Sequence, residues 1–341
     1  MAYPVSQNDP AEHPLLGSTI EGYRLLRVAG VGGMGVVFEG RDDQGRRAAI
    51  KVLHAEMAQD REVTLRFLNE ARAAQIVGHP ALVEIWGCGQ LASGEPYIVM
   101  EFLEGESLAS VLAQAGGKLQ VRDAVRVARQ VAEALAAAHA KDIVHRDLKP
   151  ENIMLGEDAR RTGQVQVKVF DFGLAKMRPE QMTDRGPDAT VLKTQSGRLV
   201  GTPSYMAPEQ CDEDGCPDQR TDVYALGVVL YECLAGRPPF VSHQEGNARI
   251  IEVLSMHLGA PPPPLRQLAP HVPAPLAELV HAMLAKEQAK RPSMAEVAQR
   301  LLRMERQLDG GHRWLLAAAL AVTALLGGGL SWLVLQVLGT D

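Results

Sequence analysis

Between Val223 and Cys233 the chain is apolar on nearly every side of a helix (VYALGVVLYEC). A helix with no face for water must sit at the centre of a large core, with other elements packed around it. Gly236 follows where a left-handed residue can end such a helix. Material to surround it is present. Val121, Val125, Ala128, Ala132 and Leu135 fall on one helical stripe, and Ser293 with Glu296 forms a capping box opening a last amphipathic helix that carries Val297 and Leu301. With 341 residues the chain can bury one large core or two smaller ones.

The first hundred residues read differently. Short apolar runs and glycines from Tyr23 to Val52 suggest hairpin strands, with more strands around Val83–Trp86 and Tyr97–Phe102. Between them RFLNEARAAQ has helical spacing, and Phe67, Glu70 and Ala74 share a face that directs Glu70 inward. A buried carboxylate is costly unless it meets a cation, so Glu70 needs a basic partner. The expected fold is α+β with two lobes: a small β-rich lobe over about 20–102 and a larger helical lobe over about 103–308. Met1 to Gly17 holds three prolines and no charged-then-apolar leader, so 1–19 reads as a flexible lead-in. Pro261 to Pro264 reads as a surface loop.

Gly30-Val31-Gly32-Gly33-Met34-Gly35-Val36-Val37 is a glycine-rich turn between strands. Glycines let backbone N–H groups close over phosphates. Alone the signal is weak, since dinucleotide sites share this spacing, but those continue into a helix and this turn continues into a strand. It also lacks the closing Gly-Lys-Ser/Thr of a P-loop. Lys51 follows in Ala48-Ala49-Ile50-Lys51, where it is either an edge lysine facing water or half of a buried ion pair with Glu70 that holds a phosphate. His145-Arg146-Asp147-Leu148-Lys149-Pro150-Glu151-Asn152 is the strongest segment. Asp147 can accept a proton from an incoming hydroxyl, and Lys149 can neutralise charge on a transferring phosphoryl group. Asn152 and Asp171 of Asp171-Phe172-Gly173 offer the oxygen ligands that Mg²⁺ prefers.

These motifs, in this order, resemble the eukaryotic-type (Hanks-type) protein kinase family, and more closely its bacterial serine/threonine branch. The resemblance covers about Ile20 to Leu308. Its bacterial character rests on Gly-Gly-Met-Gly and on Tyr205-Met206-Ala207-Pro208-Glu209-Gln210. The serine/threonine character rests on Lys149 and on Gly201-Thr202-Pro203. It implies that Gly30, Gly32 and Gly35 cover the phosphates of ATP while Val37, Ala49 and Met154 sandwich the adenine. Met100 would be the gatekeeper, with the backbone of Glu101 and Leu103 on the adenine edge. Lys51 would bind phosphates and pair with Glu70, Asp147 would be the base, and Asn152 and Asp171 would hold Mg²⁺ or Mn²⁺. Glu209 would pair with Arg291, Asp222 would hold the catalytic loop, and Thr202 would contact that loop. Arg146 would meet a phosphate on the activation segment, with Thr194, Ser196 and Thr190 as acceptors. Ala48 replaces the usual valine, Ala74 is small for its place between the lobes, and Met177 to Lys193 is longer than is common.

Trp314 to Leu338 contains no charged residue. At about 1.5 Å of rise per residue this run is long enough to cross a hydrocarbon core about 30 Å thick, so a C-terminal transmembrane helix in membrane lipid is expected over 314–338. A 309–313 linker would precede it and a 339–341 tail would follow, leaving no room for an external sensor domain. Arg300, Arg303, Arg306 and Arg313 lie before the span, which places the kinase domain on the cytoplasmic side. Ala324 and Gly328, four apart, could let two helices approach in a homodimer. The net charge of -6 argues against a nucleic-acid partner. Four scattered cysteines (Cys88, Cys211, Cys216, Cys233) make no disulfide framework and read as reduced thiols. The expected partners are protein substrates and ATP. The rivals are a pseudokinase scaffold, which usually lacks the lysine, base or metal ligand, and a small-molecule phosphotransferase, which typically lacks the Ala-Pro-Glu segment.

Overall fold

Strand pairing dominates the first lobe. β1 (Thr19–Ile20), β2 (Tyr23–Val31), β3 (Gly35–Arg41), β4 (Arg47–Leu53), β5 (Ile85–Gln90) and β6 (Pro96–Glu101) form an antiparallel sheet in the order β1-β2-β3-β4-β6-β5. The structure is a computed structural model, and it describes residues 13–156, 166–172, 203–212 and 214–309. Cross-strand pairs share a sheet face, and the register sorts the residues. Phe38 pairs with Ile50 and Ile50 with Val99, and these three join Leu25, Val36, Val52 and Tyr97 in a closed apolar cluster. Val37 pairs with Lys51 and Ala49 with Met100 on the opposite face, which is turned toward the second lobe. Residues 13–18, expected within the flexible lead-in, instead fold back onto the sheet. Gly17 N donates to Leu25 O at 2.9 Å, and Leu15 and Leu16 pack on the apolar cluster. Two leucines covered by the sheet outweigh the prolines around them.

α1 (Ala55–Ala58) and α2 (Arg61–Val77) follow β4. Asp60 caps α2 by accepting from Glu62 N at 2.8 Å and Val63 N at 3.3 Å, a cap of about 1 kcal/mol. Gly78, at φ 60°, ends it. The strand expected around Val83–Trp86 begins at Ile85, because Ala81 to Val83 pairs elsewhere. Val83 N donates to Val169 O at 3.0 Å and Val169 N to Ala81 O at 2.8 Å, tying this segment to the second lobe.

That lobe opens with a three-stranded sheet of β7 (Gly105–Ser107), β8 (Ile153–Gly156) and β9 (Val167–Val169). α3 (Leu108–Gln114) and α4 (Val121–His139) lie between β7 and β8. The helix Gln219–Ala235 runs through the centre of the lobe, with Val223, Leu226, Val228 and Leu234 at zero exposure. Asp218 caps its start, accepting from Arg220 N at 2.7 Å, and Gly236 at φ 86° ends it. Its Gly227 lies so close to the helix Ala274–Met283 that an added Cβ would meet Met283 Cβ at 2.9 Å. Full burial of each Val or Leu is worth about 1.5–3 kcal/mol, so this helix anchors the lobe. The helix over 294–309 opens with the expected capping box: Ser293 N donates to Glu296 Oε2 at 2.6 Å and Glu296 N to Ser293 Oγ at 3.3 Å. Arg126 bonds Glu305 at 3.2 Å and Asp309 at 3.0 Å, fastening this helix to α4.

Among the described residues no helix is long and apolar enough to cross a membrane. The span expected over 314–338 lies outside them, as do Thr190, Thr194, Ser196 and Thr202.

Candidate active site

The segment after α4 has few backbone partners of its own, and Asp222 supplies them from the central helix. Its Oδ2 accepts from His145 N at 2.8 Å and its Oδ1 from Arg146 N at 2.8 Å. His139 Nε2, at the end of α4, contacts Oδ2 at 2.7 Å. Burial alone would raise the Asp222 pKa, but the His139 hydrogen bond and the charges around it hold the carboxyl below its usual range. The anion has a use here. Arg146 is left-handed at φ 63°, a conformation that costs a non-glycine residue about 1–2 kcal/mol and survives only where its surroundings enforce it. Next in the chain, Asp147 N donates to His145 Nδ1 at 3.3 Å, while His145 Nε2 meets Phe170 O at 3.1 Å. Nδ1 is thus the acceptor and Nε2 carries the proton, a neutral ring in keeping with a pKa lowered by burial.

Five of the predicted chemical groups meet in the cleft between the lobes. Lys149 Nζ lies 3.0 Å from Asp147 Oδ2. Asn152 Nδ2 donates to Asp147 O at 2.9 Å, which commits the amide nitrogen inward and offers Oδ1 to the cleft. Asp171, left-handed at φ 58°, presents Oδ1 to Lys51 Nζ at 2.6 Å. Burial works to lower the Lys51 pKa, but the negative charge around it, led by the Asp171 carboxylate, outweighs burial and the ammonium is held charged. The donor set suits Mg²⁺ or Mn²⁺. Asn152 and Asp171 are hard oxygen donors, and Asp171 already faces a cation. Among the described residues no three His, Cys, Asp or Glu side chains group to cage a metal. Mg²⁺ asks for one or two protein oxygens with the rest from phosphates and water.

One expectation needs correction. The Lys51–Glu70 ion pair is not formed. Lys51 is taken by Asp171, and Glu70 makes no hydrogen bond or ion pair among the described residues. It lines a pocket with Lys51 and Asp171 on one side and Ala71, Ala74, Val83, Ile85, Ile98 and Met100 on the other. Burial favours the neutral acid and outweighs the pull of Lys51, pushing the Glu70 pKa up to about 8. A folded pKa above the ordinary 4.5 means that folded chains keep a proton that unfolded chains have lost. This conformation should therefore lose stability as pH rises from about 4.5 toward about 8. Melting temperatures between pH 5.5 and 8.5 are expected to fall, with the part owed to Glu70 absent in Glu70→Gln; equal slopes in both proteins would refute this assignment.

The glycine turn is held by its neighbours. Gly32 N donates to Gly35 O at 2.9 Å, and His54 contacts Gly32 O through Nε2 at 3.0 Å and donates from N to Met34 O at 3.0 Å. Gly35 must be glycine, since a Cβ there would stand 2.2 Å from Val52 O. Gly30 and Val31 end β2, and Gly33 lies at the tip. Val37, Ala49 and Met100 line the sheet face above the cleft, and Met154 lies on β8 below it. Glu101 anchors the connection between lobes: its Oε1 accepts from Glu84 N at 2.7 Å and from Lys168 Nζ at 2.5 Å. Leu103 follows in the connecting strand-free stretch. His54, His139 and Lys168 were not singled out from sequence, and no local pattern marks them.

Support from below is an ion pair. Arg291 Nη1 and Nη2 donate to Glu209 Oε1 and Oε2 at 2.7 and 2.8 Å. Its remaining donors reach Ala285 O, Arg220 O and Lys286 O, and Thr221 Oγ1 completes Glu209. Cys211 and Cys216 are free thiols, with burial pushing Cys211 up to about 12, far from a thiolate nucleophile or ligand.

A strand-borne lysine, a glycine turn and a carboxylate-bearing loop facing each other across two lobes define the protein-kinase class of fold. Residues 23–302 match the protein kinase domain family. The chain belongs to that family, in its bacterial serine/threonine branch. It is 43% identical over 279 residues to the serine/threonine-protein kinase Pkn1 of Myxococcus xanthus, covering 81% of this chain and 37% of that protein. It is 40% identical over 285 residues to the serine/threonine-protein kinase PknA of Mycobacterium tuberculosis, covering 82% of this chain and 60% of that one. The chain thus spans about a third to three fifths of the length of these relatives. The crystal structure of the Mycobacterium tuberculosis PknI kinase domain superposes with a TM-score of 0.61 at 27% identity, covering 84% of this chain and 98% of that one.

Proposed function

We propose that this chain transfers the γ-phosphoryl group of ATP to serine and threonine hydroxyls of protein substrates. The observation that carries the reading is the convergence of Asp147, Lys149, Asn152, Asp171 and Lys51 in one cleft. A bound Mg²⁺ or Mn²⁺ would neutralise phosphate charge between Asn152 and Asp171. The chain's own groups do the rest. Asp147 accepts the proton of the incoming hydroxyl, Lys149 offsets negative charge beside it, Lys51 orients phosphates, and the glycine turn shuts water out. The pseudokinase alternative lacks an observation in its favour, because no chemical group is missing. Incubating the purified chain with γ-labelled ATP and a generic protein acceptor tests the reading. Label on serine or threonine supports it; binding of ATP without transfer to any acceptor would overturn it.

Activation is read as phosphorylation of Thr194 or Ser196, with Thr190 third, by a second copy of the chain. A phosphate there adds about -1.5 to -2 of charge and can pair with Arg146. Mass spectrometry of active protein should find these sites modified, and Thr194→Ala with Ser196→Ala should cut activity at least severalfold. Full activity in the double variant, or unmodified sites in active protein, would remove the idea.

The apolar run 314–338 supports a single-pass membrane anchor with the kinase domain on the cytoplasmic side. Protease applied to the outer face of intact inner membranes should spare the kinase domain until lysis. Recovery of the chain in the soluble fraction, or its digestion from outside, would reverse this reading.

A further inference from the structure

Gln210 closes the Tyr-Met-Ala-Pro-Glu-Gln motif, and its side chain reaches the catalytic loop. Its Oε1 accepts from Ala207 N at 3.0 Å, which fixes the amide plane and turns Nε2 outward. Nε2 donates to Arg146 O at 2.8 Å. That carbonyl belongs to the peptide joining Arg146 to Asp147, and the N–H of the same peptide donates to His145 Nδ1. The peptide that leads into the base is therefore held by two side chains, one on each of its edges. The preceding peptide is held by Asp222 through Arg146 N. Gln210 itself has little freedom, since Glu209 beside it is locked onto Arg291 by two hydrogen bonds. The helix Pro208–Cys211 thus ties the core to the loop, Glu209 bonding Arg291 and Gln210 the backbone of the loop.

We infer that Gln210 is a positioning residue for Asp147, holding the Arg146–Asp147 peptide so that the left-handed Arg146 presents the base to the cleft. It touches no phosphate or metal ligand. Its loss should act on turnover and leave nucleotide affinity alone. The amide is needed for its donor, and glutamate is the sharpest probe. In Gln210→Glu one oxygen still accepts from Ala207 N, while the other faces Arg146 O and repels it. Gln210→Met keeps the length and removes both bonds.

This inference rests on the phosphotransfer reading for its kinetic arm but not for its structural one. In the full chain, amide hydrogen exchange of the 144–149 segment is expected to quicken about tenfold in Gln210→Glu and Gln210→Met, with β3 and β4 unchanged. kcat is expected to fall about tenfold, while KM for ATP and the affinity for ADP stay within about twofold; these fold-changes correspond to the loss of one hydrogen bond. Unchanged exchange in the 144–149 segment of both variants would overturn the inference whether or not the protein is active. So would a parallel loss of ADP affinity and general acceleration of exchange, which a merely structural residue would give. A wild-type chain with no transferase activity but the expected exchange difference would overturn the phosphotransfer reading and leave the coupling standing.

Discussion

Asp147→Asn is expected to lower phosphotransfer turnover by about 10²- to 10⁴-fold, the usual worth of a positioned general base. The replacement is nearly isosteric. It keeps the backbone bonds from Asp147 N to His145 and from Asn152 to Asp147 O, so the loop and the melting temperature should hold. The acceptor for the hydroxyl proton is lost, along with the negative partner of the partly exposed Lys149. ADP should bind as before, because Lys51 and Asp171 are untouched. Initial rates of γ-phosphoryl transfer, set beside ADP binding, check this. Activity within severalfold of wild type would take the base role away from Asp147. Lys51→Met differs in kind. It removes the cation on Asp171 as well as a phosphate ligand, so both turnover and nucleotide affinity should fall.

Breaking the Glu209–Arg291 pair is expected to have the largest effect on stability. Both side chains are buried, at 6% and 0% exposure, and every Arg291 donor is used. Removing one partner strands the other charge in the core, a loss of about 3–5 kcal/mol. At roughly 2–4 °C per kcal/mol for a domain of this size, Arg291→Met should melt at least about 6 °C lower. Glu209→Leu combined with Arg291→Met removes both charges and should recover part of the loss. Calorimetry of the two single variants and the double gives the coupling directly. Additive losses would mean that the pair contributes no interaction of its own.

Much of the site was legible because kinase chemistry asks for particular functional groups close together in the chain. Asp147, Lys149 and Asn152 lie within six residues, and β8 and the short turn before it bring them to one edge. The glycine turn was legible for another local reason: Gly35 has no room for a Cβ against Val52 O. Glu70 shows where such reading stops. The helical spacing placed its carboxyl inward, correctly, and burial demanded a partner. The cation that was expected is engaged by Asp171, 120 residues further on, and the acid settles its burial by keeping a proton. Ala81 to Val83 is a second case. Val83 was expected to open the strand Val83–Trp86, yet the backbone bonds of Ala81 and Val83 go to Val169 in the other lobe.

The sequence by itself determined the elements with short-range causes. Asp60 and Asp218 start helices, Gly78 and Gly236 end them, the all-round apolar run makes the central helix, and alternation sorts Phe38 and Ile50 from Val37 and Lys51. Each depends on residues within a turn or a strand, where geometry follows directly from the order of side chains. Only the tertiary structure decided which charge meets which. Lys51 chose Asp171 over Glu70, His139 came to Asp222, and Gln210 found the carbonyl beside the base. Those choices compare hydrogen bonds and desolvation between groups scores of residues apart, and differences of a few kcal/mol decide them. Such differences depend on where the lobes and loops settle, and spacing along the chain carries no record of that.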